Sequence, residues 1–153
     1  MDNPYFESLQ AKRRDVYRLV AAMPFEKQVH RPRPDGWSPL EVLEHLNLHD
    51  AWLLSNPSVR KGGPTGNRTL WIGRRLVSSG VTIPTAPFLV PKGGQTLIQL
   101  AQTSDEQHRR LADLVANADH GHTLIQIFPF GSFDAEGVCA VLDSHYEYHL
   151  KRL

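Results

Sequence analysis

The chain has 153 residues, 41% of them hydrophobic, with 17 Lys and Arg against 16 Asp and Glu for a formal charge of +1, and that length supports one domain, residues 1–153, with a hydrophobic core. So even a balance supplies no field to hold nucleic acid or an anionic membrane, and no segment is apolar enough to span a bilayer. The single cysteine, Cys139, excludes an intrachain disulfide and suits a reducing interior.

The first residues, Met1 to Glu7, lack the basic start and apolar run of a signal peptide, so a soluble cytoplasmic protein is expected. Asn3-Pro4 is a helix start, an N-cap followed by proline at the first helical position, and Phe6, Leu9, Arg13, Val16, Tyr17 and Val20 follow at helical spacing. Pro24 ends this first helix. From Met23 to Gly36, the prolines at 24, 32 and 34 and the Asp35-Gly36 turn predict an extended connection.

The second helix has the clearest start: Ser38 as N-cap, Pro39 at the first helical position, Glu41 at the third, and Trp37 before the cap facing Val42. A capping box with a hydrophobic staple sets the helix register, and the register aims His45. This helix ends near Ser55-Asn56-Pro57. The excursion from Pro57 to Gly94 is rich in glycine and proline, with a short extra helix expected over Asn67 to Ser78. Its apolar residues Trp71, Phe88, Leu89 and Val90 argue against disorder and fit a lid over a site.

The third helix runs from about Thr96 to Ala116 with Leu97, Leu100, Leu111, Leu114 and Val115 inward and a polar middle, Gln102 to Arg110. Thr123 to Phe128 is β-branched enough for a short strand but too isolated to define a sheet. Pro129-Phe130-Gly131 turns the chain, and Ser132 or Asp134 caps the fourth helix, where Val138, Val141, Leu142, His145 and His149 share one side. Four principal helices without partnered strands give an all-α fold, a four-helix bundle.

Of the eight histidines, His30, His108, His120 and His122 sit on polar or loop segments and read as surface residues. His45 with His49, and His145 with His149, stand one helical turn apart among apolar residues, a spacing at which two rings reach one metal ion. A lone histidine on an apolar face is a hydrogen-bonded core residue; two such pairs point to a metal. Three imidazoles leave coordination positions open for water or substrate, as at catalytic sites. His49 reads as ligand, outer hydrogen-bond partner or core residue, and Asp50, Asp143 and Glu147 are the carboxylates available to hold a ring N–H. The run His145-Tyr-Glu-Tyr-His149 places its Glu one position off the metalloprotease signature.

Trp37-Ser38-Pro39 leading to Val42-Leu43-Glu44-His45-Leu46, Pro129-Phe130-Gly131, and the ending from His145 to Leu153 together resemble the DinB-like (DinB/YfiT-like) superfamily, in particular its DinB_2 branch. The resemblance covers nearly the whole chain, through motifs that are short one by one and specific in their order. It implies a four-helix bundle holding a divalent ion, nickel, zinc or iron, on residues matching His45, His145 and His149. It further implies a small-molecule substrate, a homodimer, and an enzyme of thiol-dependent transferase or hydrolase type, some relatives being S-transferases or isomerases that use a low-molecular-weight thiol such as bacillithiol or mycothiol. His49 stands where the family is not expected to have histidine, which makes it the candidate general base, and Arg152 replaces a frequent glutamine. The alternative function is a non-catalytic metal-binding or stress-related interaction protein.

Overall fold

The computed structural model describes residues 3–55, 57–60, 75, 79, 84–118, 123–127 and 131–153. The described chain is mainly helical: α1 (Pro4–Ala21), α2 (Phe25–Val29), α3 (Pro39–Leu54), α4 (Leu97–Ala116) and α5 (Ala135–Leu150), four of them long. Short strands β1 (Pro57–Arg60), β2 (Thr123–Ile127) and β3 (Gly131–Phe133) and one 3-10 turn, Pro87–Leu89, complete it. No helix among the described residues is long and apolar enough to cross a membrane.

Each long helix starts where its first residues supply acceptors for otherwise unpaired backbone N–H groups. Asn3 accepts from Phe6 N on α1 and Asp134 from Gly137 N on α5, which decides the last cap for Asp134, since Ser132 lies in β3. On α3, Ser38 Oγ accepts from Glu41 N at 3.3 Å while the Glu41 carboxylate accepts from Ser38 N at 2.8 Å, the reciprocal capping box. Thr96 and Gln99 repeat that device on α4. The short helix α2 is unexpected. Pro24 turns the chain after α1, and the helix formers behind it close a single turn on the Pro24 carbonyl, without an apolar period to announce it.

α1 lies along α5 and α3 along α4, and close backbone contacts between α3 and α5 are few. The core fills the space between them with Leu9, Val16, Val20, Leu43, Leu46, Leu53, Leu100, Val138, Leu142 and Tyr146, all nearly inaccessible; each such leucine contributes about 1.5–3 kcal/mol by leaving water. Two residues of the polar middle of α4 are inward too. Ser104 and Gln107 are buried on the same face as Leu100 and Leu111; Ser104 accepts from Arg13 Nη1 at 3.0 Å and Gln107 Nε2 donates to the Asn47 carbonyl at 3.0 Å.

The strand foreseen at Thr123 has two partners, in the antiparallel order β1-β2-β3. Ile125 pairs with Phe133, and both are buried, so the period-2 face of β2 closes against α3 and α5. The extra helix expected over Asn67 to Ser78 lies, Arg75 apart, outside the described residues, as do His120, His122 and Pro129-Phe130.

The described end of the long excursion is laced to α3. Lys92 N and Gly93 N donate to the Glu44 carboxylate at 3.0 and 2.8 Å. Gly93 and Gly94, at and just after the second of these N–H groups, take φ of 77° and 83°, a region open to glycine at no steric cost. Ser38→Ala removes the acceptor of the capping box, and a loss of about 1 kcal/mol of unfolding free energy is expected in urea titration; an unchanged midpoint would show that the α3 start is held elsewhere.

Candidate metal centre

Two helices aim four imidazoles into one space. On α3, the register set at Ser38 turns His45 inward among Val42, Leu43 and Leu46, and His49 follows one turn later. On α5, His145 and His149 share a face with Leu142. Because α3 and α5 have few close backbone contacts, the side chains themselves bridge the gap.

His145 Nε2 lies 3.1 Å from His45 Nε2 and 3.2 Å from His149 Nε2, and the ligand atoms of all three residues fall within 4.8 Å of one another. Two imidazole nitrogens on one tetrahedral ion, with bonds of ~2.0–2.1 Å, stand about 3.3 Å apart. Proton accounting favours a cation between them. His45 Nδ1 lies 2.8 Å from the Leu89 carbonyl, and a carbonyl only accepts, so Nδ1 carries the proton and Nε2 of the neutral ring presents a lone pair. If His145 Nε2 has a proton, it can serve His45 but then cannot accept from His149. If it has a lone pair, it can accept from His149 but opposes the lone pair of His45. One of the two contacts is therefore unmatched in every neutral tautomer, and a positive ion at the convergence point satisfies all three lone pairs at once.

The rings are neutral. Burial pushes His45 below the ordinary imidazole value, against the opposing pull of the Leu89 carbonyl. Burial, then the neighbouring His45, holds His49 down to about 3; burial, then His45 and His49, does the same to His149. His145 is held well below its usual value, by burial and then by His49, His149 and His45. Neutral imidazole is the form that binds a metal.

Around this cluster the aromatic residues close in. Trp37 lies 4.6 Å from His45 and 6.3 Å from His149, centroid to centroid, so the residue expected as a staple also roofs two imidazoles. His49 sits 4.0 Å from His145 and 5.9 Å from Trp52, which meets Phe88 at 5.7 Å. The Nδ1 atoms of His49 and His145 are buried and have no partner among the described residues.

The carboxylates considered from the sequence as ring acceptors point elsewhere. Asp143 and Glu147 stand two residues either side of His145, about 200° around the helix, and both accept from Lys12 of α1, at 2.8 and 3.1 Å. Asp50 accepts from the Tyr146 hydroxyl at 2.7 Å; burial raises its carboxyl to about 7, against the pull of that bond and of Arg13. The acceptor that orients a ring is instead the Leu89 backbone carbonyl, on the 3-10 turn that ends the excursion. Phe88-Leu89-Val90 signalled an ordered apolar segment, but a backbone carbonyl leaves no mark in a sequence.

A family model described as the DinB superfamily matches residues 8–153. Comparison with curated proteins and comparison with solved structures each find no match.

The depressed imidazoles make the metal-free protein acid-sensitive with a definite sign. Between about pH 3 and 6.5 the unfolded chain binds protons on these histidines that the folded chain refuses, so stability falls as pH drops through that window. Asp50, raised to about 7, opposes this with a single proton. Urea midpoints of metal-free protein are expected to decline from pH 7 to 4, with a net uptake on unfolding of roughly one proton or more. A flat profile would mean that the imidazoles are protonated in the folded state.

Proposed function

The chain belongs to the DinB superfamily, and from that premise we propose that it is a divalent-metal-dependent enzyme in which His45, His145 and His149 hold the ion. The observation that carries this reading is the approach of three Nε2 atoms, one of them assigned a lone pair by the Leu89 carbonyl. Bound there, a divalent ion supplies Lewis acidity and lowers the pKa of a coordinated water or thiol. Imidazole suits nickel, zinc and iron alike.

The chain's own residues prepare that site. The Leu89 carbonyl fixes the tautomer and plane of His45, Trp37 covers His45 and His149, and the apolar core keeps the rings neutral. His49, beside His145 and outside the three-nitrogen cluster, is the proton-handling residue of this reading. A ring depressed to about 3 takes a proton only from a group whose own pKa is held low. Cys139 is no nucleophile, because burial pushes its thiol up to about 12. A thiol-dependent transfer therefore takes its sulfur from a low-molecular-weight cosubstrate, and the same reading includes a small-molecule substrate and a homodimer.

Elemental analysis of protein purified without an affinity tag tests the assignment. One divalent ion per chain is expected in the wild type. Each of His45→Ala, His145→Ala and His149→Ala is expected to weaken binding by more than the ~10–100-fold cost of losing an outer hydrogen-bond partner. His49→Ala is expected to keep the ion. Full occupancy in any of the first three removes that residue from the ligand set, and an ion without exchangeable waters would sink the catalytic reading.

A further inference from the structure

A second polar centre lies in the bundle, apart from the imidazoles. Arg13 Nε on α1, Asp50 Oδ1 on α3 and Gln107 Oε1 on α4 are buried and have no partner among the described residues. All three residues line one cavity, walled otherwise by Leu9, Leu54, Leu111, Leu142 and His108. One further polar atom on each of the three is committed. Arg13 Nη1 donates to Ser104 Oγ at 3.0 Å and Asp105 Oδ1 at 2.9 Å, Asp50 Oδ2 accepts from Tyr146 Oη at 2.7 Å, and Gln107 Nε2 donates to the Asn47 carbonyl at 3.0 Å. These bonds hold the side chains in place and leave one unpaired donor and two unpaired acceptors on residues that line the same space.

Buried polar atoms without a partner are costly and rare, so the chemistry of this set identifies what fills it. The cavity offers about 10 Å³ to the centre of a water molecule, close to the roughly 10–15 Å³ that one buried water requires. A cation there would meet the Arg13 guanidinium, and an anion would meet the Asp50 carboxylate. With Asp50 ionised, a neutral molecule with two O–H donors and a lone pair matches one donor and two acceptors without remainder.

We propose that this cavity is a binding site for a single buried water molecule, which accepts from Arg13 Nε–H and donates to Asp50 Oδ1 and Gln107 Oε1. Three hydrogen bonds are typical of a buried water. The water ties α1, α3 and α4 together, and the Tyr146–Asp50 bond brings in α5, so all four long helices meet at one carboxyl group. Asp50 follows His49 in sequence and Tyr146 follows His145, which places this junction one residue from the imidazole cluster on both helices. The inference does not depend on a metal being bound.

A high-resolution crystal structure of the full chain tests it directly. The expected result is one ordered water about 2.7–3.2 Å from all three atoms; direct pairing among the three side chains, an ion, or a dry cavity would overturn the proposal. In solution, water-deuteron relaxation dispersion counts long-lived internal waters. Its amplitude is expected to fall by one water in Gln107→Leu, and by one again when Arg13→Lys is compared separately with wild type. Equal amplitudes in wild type and a folded variant overturn the site, and if either variant does not fold the other and the wild-type crystal still decide.

Discussion

Two imidazole nitrogens brought within hydrogen-bond distance of a third, with too few matching protons and acceptors among them, are the constraint on which the rest of the structure depends. Neutral rings largely removed from solvent cannot satisfy this arrangement by tautomerism alone. Such a cluster persists only when surrounding packing holds it, and here the whole bundle does so. The same burial that disfavours protonation keeps the lone pairs free for a cation.

How the chain holds the cluster follows from its ends and seams. The Ser38–Glu41 capping box sets the register of α3, and the Glu41 carboxylate, lowered from its usual value by the Arg31 guanidinium, stays ionised to accept from Ser38 N. Further along, the returning excursion is stitched to two successive residues of α3: backbone N–H groups of Lys92 and Gly93 to Glu44, and the Leu89 carbonyl to His45. A segment with little regular structure thus sets the tautomer of a proposed ligand. On α5, Lys12 draws Asp143 and Glu147 toward α1, which leaves the opposite side of the helix to His145.

The interior is therefore divided by chemistry. One end holds neutral nitrogen bases under Trp37, and a separate junction at Asp50 holds oxygen and guanidinium groups that reach every long helix. Helix packing by leucine alone leaves rotation and sliding weakly specified, whereas a bond such as Tyr146 to Asp50 admits one register. Placing that bond beside His49 and His145 in sequence locks the pair of helices where the rings must meet.

Much of this was legible in the residues. Caps at Asn3 and Ser38, a cap at Ser132 or Asp134, and the 3.6-residue periods marked the four long helices, because those signals are local. The i, i+4 histidine pairs on apolar faces marked the candidate ligands for the same reason. Local signals could not show that β2 has partners, since β1 and β3 are too short to read. Nor could they separate Asp143 and Glu147 from the rings, because which way a helix face looks depends on what packs against it. The Leu89 carbonyl and the Arg13–Asp50–Gln107 cavity belong wholly to tertiary structure: one is a backbone atom and the other joins residues 94 positions apart between Arg13 and Gln107 (107 − 13). Sequence determined which side chains could bind a cation; the folding of a distant loop onto α3 decided their protons, because a tautomer is set by the partner a ring nitrogen meets.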